Sequence, residues 1–287
     1  MNPVITDDGL ALHLRTWPAA DTRRGVVVLV HGLGEHIDRY DHVARRLNGL
    51  GFAVVGYDHR GHGRSPGARG GMPCDDALCA DLGRLLYAVR ESFPGPLVLL
   101  GHSLGGLVAG RFVAEGLQPA PAKWWRPVDA LVLSSPALDP GTNVVQKLLL
   151  AVVAPMLPNL AVNNGLAVDW ISRDAGVVEA YVADPLVHDR VTGRLGLFVA
   201  RQGPAVIAAA PKWKTPTLLM WAGADRCVAP AGSAAFAAAA PRDVVTAREW
   251  PGLFHEIFNE PEQAEVLKVM DDWLATAVPA RKAQNIV

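Results

Sequence analysis

The stretch "LVLLGHSLGGLVAG", residues 97–110, contains the strongest indication of the fold of this chain. A run of apolar residues leads into Gly-His-Ser-Leu-Gly-Gly, and a helix-compatible segment follows. Gly101 and Gly105 flank Ser103 in the pattern Gly-x-Ser-x-Gly. Glycine is used where a side chain would collide with its surroundings. The pattern therefore predicts a sharp strand-to-helix turn with Ser103 at its tip and backbone N–H groups facing the same space.

Other apolar runs along the chain have the same strand character. "GVVVLV" at 25–30, "FAVVGYD" at 52–58 and "ALVLSSP" at 130–136 are typical of strands buried on both faces. Segments with helical spacing separate them, including one expected at about 75–92. This alternation predicts a mostly parallel central sheet flanked by helices, which is the α/β class. "ALHLRTW" at 11–17 alternates and predicts an edge strand.

The strand rhythm breaks between residues 139 and 211 and resumes at "TPTLLMWAGAD" and "DVVTAREWPGLFH". A helix at about 261–275 follows. We therefore predict a core of residues 1–138 and 212–287, with a helical cap inserted at 139–211. A connection this long is expected to serve function. The alternative is that its apolar part, "NVVQKLLLAVVAPMLPNL", is simply buried against the core.

Composition excludes several classes of protein. The 287 residues carry a net charge of −1, so the basic face of a nucleic-acid-binding protein is not expected. Three cysteines without framework spacing argue against a disulfide scaffold. The first residues have no basic start and no apolar h-region. We expect a soluble cytoplasmic protein whose cap contacts membrane surfaces transiently; the sequence does not determine its oligomeric state.

A serine hydroxyl needs a base to become a nucleophile, and histidine suits this task near neutral pH. In the strand–turn–helix architecture the order along the chain is Ser, then Asp or Glu, then His. Of nine histidines, His255 alone follows a late strand after Ser103. Asp225 ends the strand before it and is the favoured acid, and Asp139 is the alternative. Ser103, Asp225 and His255 are thus the predicted catalytic triad.

An oxyanion hole requires N–H donors next to the nucleophile. Leu104 follows Ser103 directly and supplies one candidate. The loop "VHGLGEH" after the first buried strand supplies the other, at the N–H of Leu33. This chemistry requires no metal or organic cofactor, and none is expected.

The motifs "HGLGEHIDRY", "DHRGHGRS", "GHSLGG", "GADRCVAP" and "LFHEIFNE" occur in the order found in α/β-hydrolases. The chain most resembles their monoacylglycerol lipase and lysophospholipase branch, which is related to the S33 serine aminopeptidases. The resemblance implies the α/β-hydrolase fold, the same triad and the same oxyanion donors. It also implies that Glu35 and Arg39 hold polar groups at the glycerol end of the pocket.

One position departs from the branch. Relatives with a glycerol site often carry a second histidine three residues after the catalytic one, and this chain has Phe258 there. The leading hypothesis is hydrolysis of monoacylglycerols, with a small-molecule lipid ester as the partner. The alternative hypotheses keep the same triad and replace the substrate with a lysophospholipid or a short-chain ester. The alternative to an enzyme is a binding protein of the same fold without catalytic activity. Cys227 is expected to pack near the site, and Lys147 to be solvated.

Overall fold

A computed structural model describes residues 1–19, 24–141, 151–152 and 154–279. Its seven-stranded sheet has the order β1-β3-β2-β4-β5-β8-β9, and a separate pair consists of β6 and β7. The strands are β1 Leu14–Trp17, β2 Gly25–Val30, β3 Phe52–Tyr57, β4 Leu97–His102, β5 Ala130–Ser134, β6 Ala161–Asn163, β7 Arg190–Thr192, β8 Thr217–Ala222 and β9 Val245–Trp250. All neighbours in the large sheet are parallel except the edge strand β1. The predicted α/β-hydrolase class is confirmed.

The central strands are buried because helices cover both faces of the sheet. The described helices are α1 Asp41–Gly49, α2 Ala77–Ser92, α3 Ser103–Glu115, α4 Ala175–Ala183, α5 Gly193–Ala209, α6 Pro230–Ala239 and α7 Gln263–Ala277. Every residue of β2, β3, β4, β5 and β8 is buried, as their unbroken apolar runs predict. The expected helices near 75–92 and 261–275 appear as α2 and α7, within two residues at each end.

Alternate residues of each strand divide the core into two layers. Val26 and Val28 belong to the cluster that includes side chains of α2 and α3. Val27 and Leu29 belong to the other cluster, with side chains of α1 and α7. Both layers leave the carboxyl ends of the parallel strands free to carry loops, and open α/β sheets form their sites at that edge.

The insertion contains a short antiparallel pair that the sequence pattern did not predict. Residue Ala161 of β6 pairs with Thr192 of β7. Each strand has three residues, and those of β6 are exposed, so no apolar alternation marks them. Much of the apolar run before them, including Lys147 and Leu149, lies outside the described residues.

The last helix of the insertion, α5, packs into the main core. Leu195, Phe198 and Val206 of this helix are buried in the same cluster as side chains of α3. Gly110 of α3 faces Val206, at 3.4 Å from the position that a Cβ would take. The carboxyl-terminal part of the insertion therefore anchors the segment before it.

Among the residues that the structure describes, no helix combines the length and the apolar character needed to cross a bilayer.

Candidate active site

Ser103 stands at the junction of β4 and α3. Its φ of 52° lies in the left-handed region, which a non-glycine residue adopts at a cost of roughly 1–3 kcal/mol. The close approach of strand and helix explains the adjoining glycines. A Cβ on Gly101 would lie 2.4 Å from the carbonyl oxygen of Gly105, and one on Gly105 would lie 2.1 Å from that of Val30. The predicted strand–turn–helix is present, and its serine lines a cavity.

His255 and Asp225 meet in the loops that follow β9 and β8. The distance between His255 Nδ1 and Asp225 Oδ2 is 2.7 Å, and both side chains are buried. The other oxygen of Asp225 accepts the N–H groups of Cys227 and Val228 at 2.8 and 3.0 Å. Burial is the largest single influence on the pKa of His255 and lowers it, but the carboxylates of Asp225, Glu256 and Glu35 together outweigh burial and raise that pKa above its ordinary value.

Asp139, the alternative acid, is engaged elsewhere. Its Oδ1 accepts the N–H of Gly141 at 2.9 Å, and its backbone carbonyl accepts the N–H of Ala229. The imidazole of His255 is thus held by Asp225, at the position where the sequence analysis placed the favoured acid.

The two candidate oxyanion donors come from two different segments of the chain near Ser103. Leu104 belongs to the first turn of α3, where backbone N–H groups have no partner inside the helix. Leu33 belongs to the loop after β2 and lines the same cavity as Ser103. A Cβ on its neighbour Gly32 would lie 3.1 Å from Ser103 Cβ, so this loop passes directly over the serine.

The loop that carries Leu33 is held by buried polar groups. Glu35 Oε1 accepts the N–H of Gly32 and the hydroxyl of Tyr40, each at 2.6 Å. His31 Nδ1 bonds the carbonyl oxygen of Gly32 at 2.8 Å, and His31 Nε2 accepts the N–H of His59 at 2.9 Å. The segment around His59 therefore supports the loop from behind.

Glu35 is ionised in this setting. Burial raises its pKa, but Arg39, His102, His31 and Tyr40 together outweigh burial and lower the pKa to about 2. Arg39 Nη1 donates to Glu35 Oε2 at 2.7 Å. Glu35 lines the cavity, whereas Arg39 lies behind it. The two residues implied for glycerol binding are thus in contact, and only one of them faces the cavity.

Arg39 has a second partner that the sequence analysis missed. Glu256 forms a two-pronged pair with it, with distances of 2.6 Å from Arg39 Nη1 to Oε1 and 2.7 Å from Nη2 to Oε2. Asn259 Nδ2 also donates to Glu256, at 2.8 Å. Glu256 follows His255 directly and lines the cavity. Its adjacency to His255 was the only signal for it in the sequence.

His102 lies between the loop and His255. Its ring centroid is 4.8 Å from that of His255, and its Nδ1 bonds Ser134 Oγ at 3.0 Å. Burial, with the neighbouring His255, lowers the pKa of His102 to about 4. His102 is therefore neutral near pH 7 and adds no positive charge beside His255.

The cavity measures about 370 Å³ and is roofed by the insertion. Its apolar lining comes mostly from there, with Leu166, Ala167, Val168, Ile171, Val182 and Val187. Two contacts fasten this roof to the loop after β2. The N–H of His188 donates to the carbonyl of Gly34 at 2.8 Å, and His36 Nε2 lies 2.7 Å from Asp184 Oδ2.

Phe258, the departure from the branch, is buried in the core among side chains such as Ile257 and Trp250. It is not among the described residues that line the cavity.

Asp225, Cys227 and His255 offer potential metal-ligand atoms within 4.8 Å of one another. Two of those three residues are already joined by the hydrogen bond between His255 and Asp225.

The described site has the parts of a serine hydrolase: a serine on a strand–helix turn, a carboxylate-bound histidine and two oxyanion-donor candidates. Comparison with known proteins agrees with this class. A family model described as "Serine aminopeptidase, S33" matches residues 21–262. The chain belongs to this family of α/β-hydrolases.

Within this family, the chain is most informatively compared with individual lipases and phospholipases. The chain is 36% identical to a monoacylglycerol lipase of Mycolicibacterium smegmatis over 93% of this chain and 94% of that one. It is 32% identical to phospholipase YtpA of Bacillus subtilis over 88% and 95% of the two chains. A crystal structure of Paleococcus ferrophilus monoacylglycerol lipase superimposes with a TM-score of 0.80 at 35% identity, covering 93% and 99%. The chain is a carboxylic ester hydrolase of the monoacylglycerol lipase type.

Proposed function

We propose that this protein hydrolyses monoacylglycerols into a fatty acid and glycerol, with Ser103, His255 and Asp225 as its catalytic triad. The observation that carries the proposal is the His255–Asp225 pair at 2.7 Å, beside a cavity that Ser103 shares and the insertion lines with apolar side chains. The acyl chain occupies the apolar part of the cavity. The alcohol half lies against His255, because that residue must protonate the leaving oxygen.

The chemistry proceeds through an acyl-enzyme. Ser103 Oγ attacks the ester carbonyl carbon while its proton passes to His255 Nε2, and Asp225 stabilises the resulting imidazolium. The N–H groups of Leu33 and Leu104 stabilise the oxyanion. The bond from carbon to the alcohol oxygen then breaks, and His255 gives its proton to that oxygen. Water, deprotonated by His255, attacks the acyl-enzyme and releases the fatty acid.

Glu35 has two tasks in this proposal. Its Oε1 holds the Gly32 N–H and so positions the loop of Leu33. Its place in the cavity wall also allows it to accept a hydrogen bond from a substrate hydroxyl. Arg39 does not reach the cavity and acts by fixing the carboxylates of Glu35 and Glu256.

The second candidate substrate class is the lysophospholipids, which carry one acyl chain on a phosphorylated glycerol. The likeness to phospholipase YtpA supports it. The same triad and acyl pocket would hydrolyse a lysophospholipid. The two substrate classes differ in the charge of the alcohol half, which is neutral in a monoacylglycerol and carries a phosphate in a lysophospholipid.

A matched set of assays tests the proposal. Wild-type protein should react with a fluorophosphonate probe and release fatty acid from 1-octanoylglycerol. Ser103→Ala should lose both activities, with turnover falling by roughly 10⁴-fold or more, while its melting temperature stays close to wild type. Residual hydrolysis above a tenth of the wild-type rate would exclude Ser103 as the nucleophile. A probe-reactive protein that leaves 1-octanoylglycerol intact would refute the substrate assignment alone.

The insertion also contacts lipid surfaces in this proposal. Its exposed apolar side chains include Val152, Met156, Leu157, Leu160, Val162, Leu166 and Val182, at 39–76% exposure. A concentration of apolar surface at the mouth of an acyl pocket is typical of a contact site. Such a contact lets a poorly soluble substrate pass from the lipid phase into the cavity.

A further inference from the structure

The alcohol end of the cavity has an excess of negative charge. Four carboxylate residues line the cavity, and the described lining includes no lysine or arginine; the four are Glu35, Asp184, Asp189 and Glu256. Asp184 and Asp189 have partners outside the lining, His36 and Arg190. Glu35 and Glu256 are buried, at 3% and 5% exposure, next to the loop of Leu33 and to His255.

Arg39 neutralises only one of these two deep carboxylates. Both of them pair with its single guanidinium, at 2.6–2.7 Å. The three side chains are at most 12% exposed, so solvent screens their charges weakly. A two-pronged geometry of this kind is that of an ionised carboxylate and an arginine. The trio therefore carries one unbalanced negative charge.

Arg39 is not free to turn toward a ligand. Its guanidinium donates to Glu35 and Glu256, and the ring of Tyr181 covers it at 4.6 Å from the ring centroid. Glu256 is fixed as well, by Asn259 and by its own N–H, which donates to the carbonyl of Ile171 at 2.8 Å. An incoming anion would have to break this network to obtain a cationic partner.

We infer that Glu256 is a specificity-determining residue, which excludes esters whose alcohol half carries a negative charge. This inference rests on the proposed function for its substrate class. His255 must touch the leaving oxygen, so the alcohol half lies within reach of the next residue, Glu256. A phosphate on that half would face like charge in a partly desolvated setting, where such contacts are strongly unfavourable. A neutral glycerol would instead offer hydroxyl donors to the carboxylate oxygens.

The consequence separates the two candidate substrate classes. Neutral monoacylglycerols should be accepted, and lysophospholipids with an anionic headgroup should be rejected by charge and not by size. The same excess of negative charge favours release of the fatty-acid product, since its carboxylate is repelled from the site.

The test compares two esters that differ by one phosphate, 1-octanoylglycerol and 1-octanoylglycerol 3-phosphate, below their micellar concentrations. The readout is the ratio of kcat/KM for the neutral over the anionic ester. Wild type should favour the neutral ester by roughly 100-fold, since tenfold corresponds to about 1.4 kcal/mol. Glu256→Gln should lower this ratio by about tenfold or more, mainly by improving use of the anionic ester.

Glu256→Asp is the matched variant because it keeps the charge and changes only the length of the side chain. Its ratio should stay within a few-fold of wild type even if its overall activity falls. Equal ratios for Glu256→Gln and Glu256→Asp, or a wild-type ratio near one, would overturn the inference. Melting temperatures of both variants check that the fold is retained.

A second ester pair separates this inference from the proposed function. 2-Nitrophenyl octanoate and 4-nitro-3-(octanoyloxy)benzoic acid contain no glycerol and differ by one carboxylate. A protein that ignores both glycerol esters but prefers the neutral aryl ester in a manner dependent on Glu256 would refute monoacylglycerol hydrolysis and support the charge inference. If the protein hydrolyses 1-octanoylglycerol but uses the neutral and the anionic ester of both pairs equally well, monoacylglycerol hydrolysis is supported and the charge inference is refuted.

Discussion

Single residues decide the protonation chemistry of this site. In the proposed mechanism His255 must be unprotonated to accept the proton of Ser103, and the pKa of His255 is set by the balance between burial and the nearby carboxylates. Asp225 is the largest of the stabilising influences on the imidazolium. His102 stays neutral, which spares His255 a neighbouring positive charge.

Asp225→Asn should cost far more activity than Asp139→Asn. The amide cannot stabilise the imidazolium and holds the wrong tautomer of His255, so kcat should fall by roughly 10³–10⁴-fold. Asp139→Asn keeps an amide oxygen that can still accept the N–H of Gly141 and removes only the charge, so it should leave kcat within a few-fold of wild type. Steady-state rates on a soluble ester measure both variants. The reverse ranking would transfer the acid role to Asp139.

The dependence of activity on pH has a defined sign. Because the proposed mechanism uses His255 as a base and its pKa is raised, kcat/KM should rise with pH through an apparent pKa above that of an ordinary histidine. Glu256 is one of the carboxylates that raise this pKa. Glu256→Gln should therefore shift the acid limb of the profile to lower pH.

The control for this profile is Glu91→Gln. Glu91 is exposed at the end of α2, on the edge of the sheet away from the site. The pH profile of the Glu91→Gln variant should superimpose on that of the wild type. A shift toward higher pH in Glu256→Gln would contradict the electrostatic account of His255.

Among the elements, the β4–α3 turn and the loop after β2 depend on each other. The turn brings α3 so close to β2 that a Cβ on Gly105 would lie 2.1 and 2.4 Å from two backbone carbonyl oxygens, those of Val30 and His31. Backbone atoms cannot move aside as a flexible side chain can. The position of the loop that carries Leu33 thus depends on a missing side chain in α3.

Gly105→Ala should destabilise the protein and damage the oxyanion hole together. Overpacking of this kind costs about 1–3 kcal/mol, which lowers the melting temperature by roughly 2–4 °C for each kcal/mol in domains of this size. Gly49→Ala is the control, since nothing lies within 4 Å of the added Cβ. Its melting temperature should stay constant or rise slightly. Thermal unfolding and kcat on a soluble ester measure both, and a Gly105→Ala protein with wild-type values would disprove the coupling.

At the scale of the whole molecule, the insertion has three features: it lines the cavity beside Ser103, covers Arg39 and exposes apolar side chains. Tyr181 of α4 packs on Arg39, while Val182, the next residue, is 68% exposed. Residues of this one segment therefore face both the polar network and the outside. Docking on a lipid surface would place the mouth of the cavity at that surface.

Val152→Asp and Met156→Asp should weaken binding to phospholipid vesicles and lower activity on long-chain monoacylglycerol. Both side chains are exposed, at 56% and 76%, and a charge there opposes transfer into the interface. Activity on a water-soluble short ester should survive. Vesicle co-sedimentation and parallel assays on the two substrates measure this.

Tyr87→Asp is the matched control for the vesicle experiment. Tyr87 is a large apolar residue with 55% exposure on α2, outside the insertion. Its replacement should change neither binding nor long-chain activity. Unchanged co-sedimentation in all three variants would mean that the insertion is a wall of the pocket and not a membrane contact.

The sequence by itself predicted the strands of the large sheet and the glycine-flanked turn that carries Ser103. Unbroken apolar runs such as 25–30 and 97–100 can only be buried strands in this setting, and Gly-x-Ser-x-Gly leaves little choice for the turn. Chain order singled out His255, and the short turn directly after a strand favoured Asp225 over Asp139, because late loops lie at the edge of the sheet where Ser103 stands. A local sequence pattern is sufficient to predict a structure where adjacent residues determine the backbone geometry and the burial.

Only the tertiary structure decided how charge is arranged around the serine. Arg39 and Glu256 are 217 residues apart in the chain, yet they form the two-pronged pair that leaves one negative charge at the alcohol end. The short strands β6 and β7 and the partners of Asp184 likewise had no local signal. Such features depend on long-range packing between the insertion and the core, and periodicity within a short segment carries no information about it.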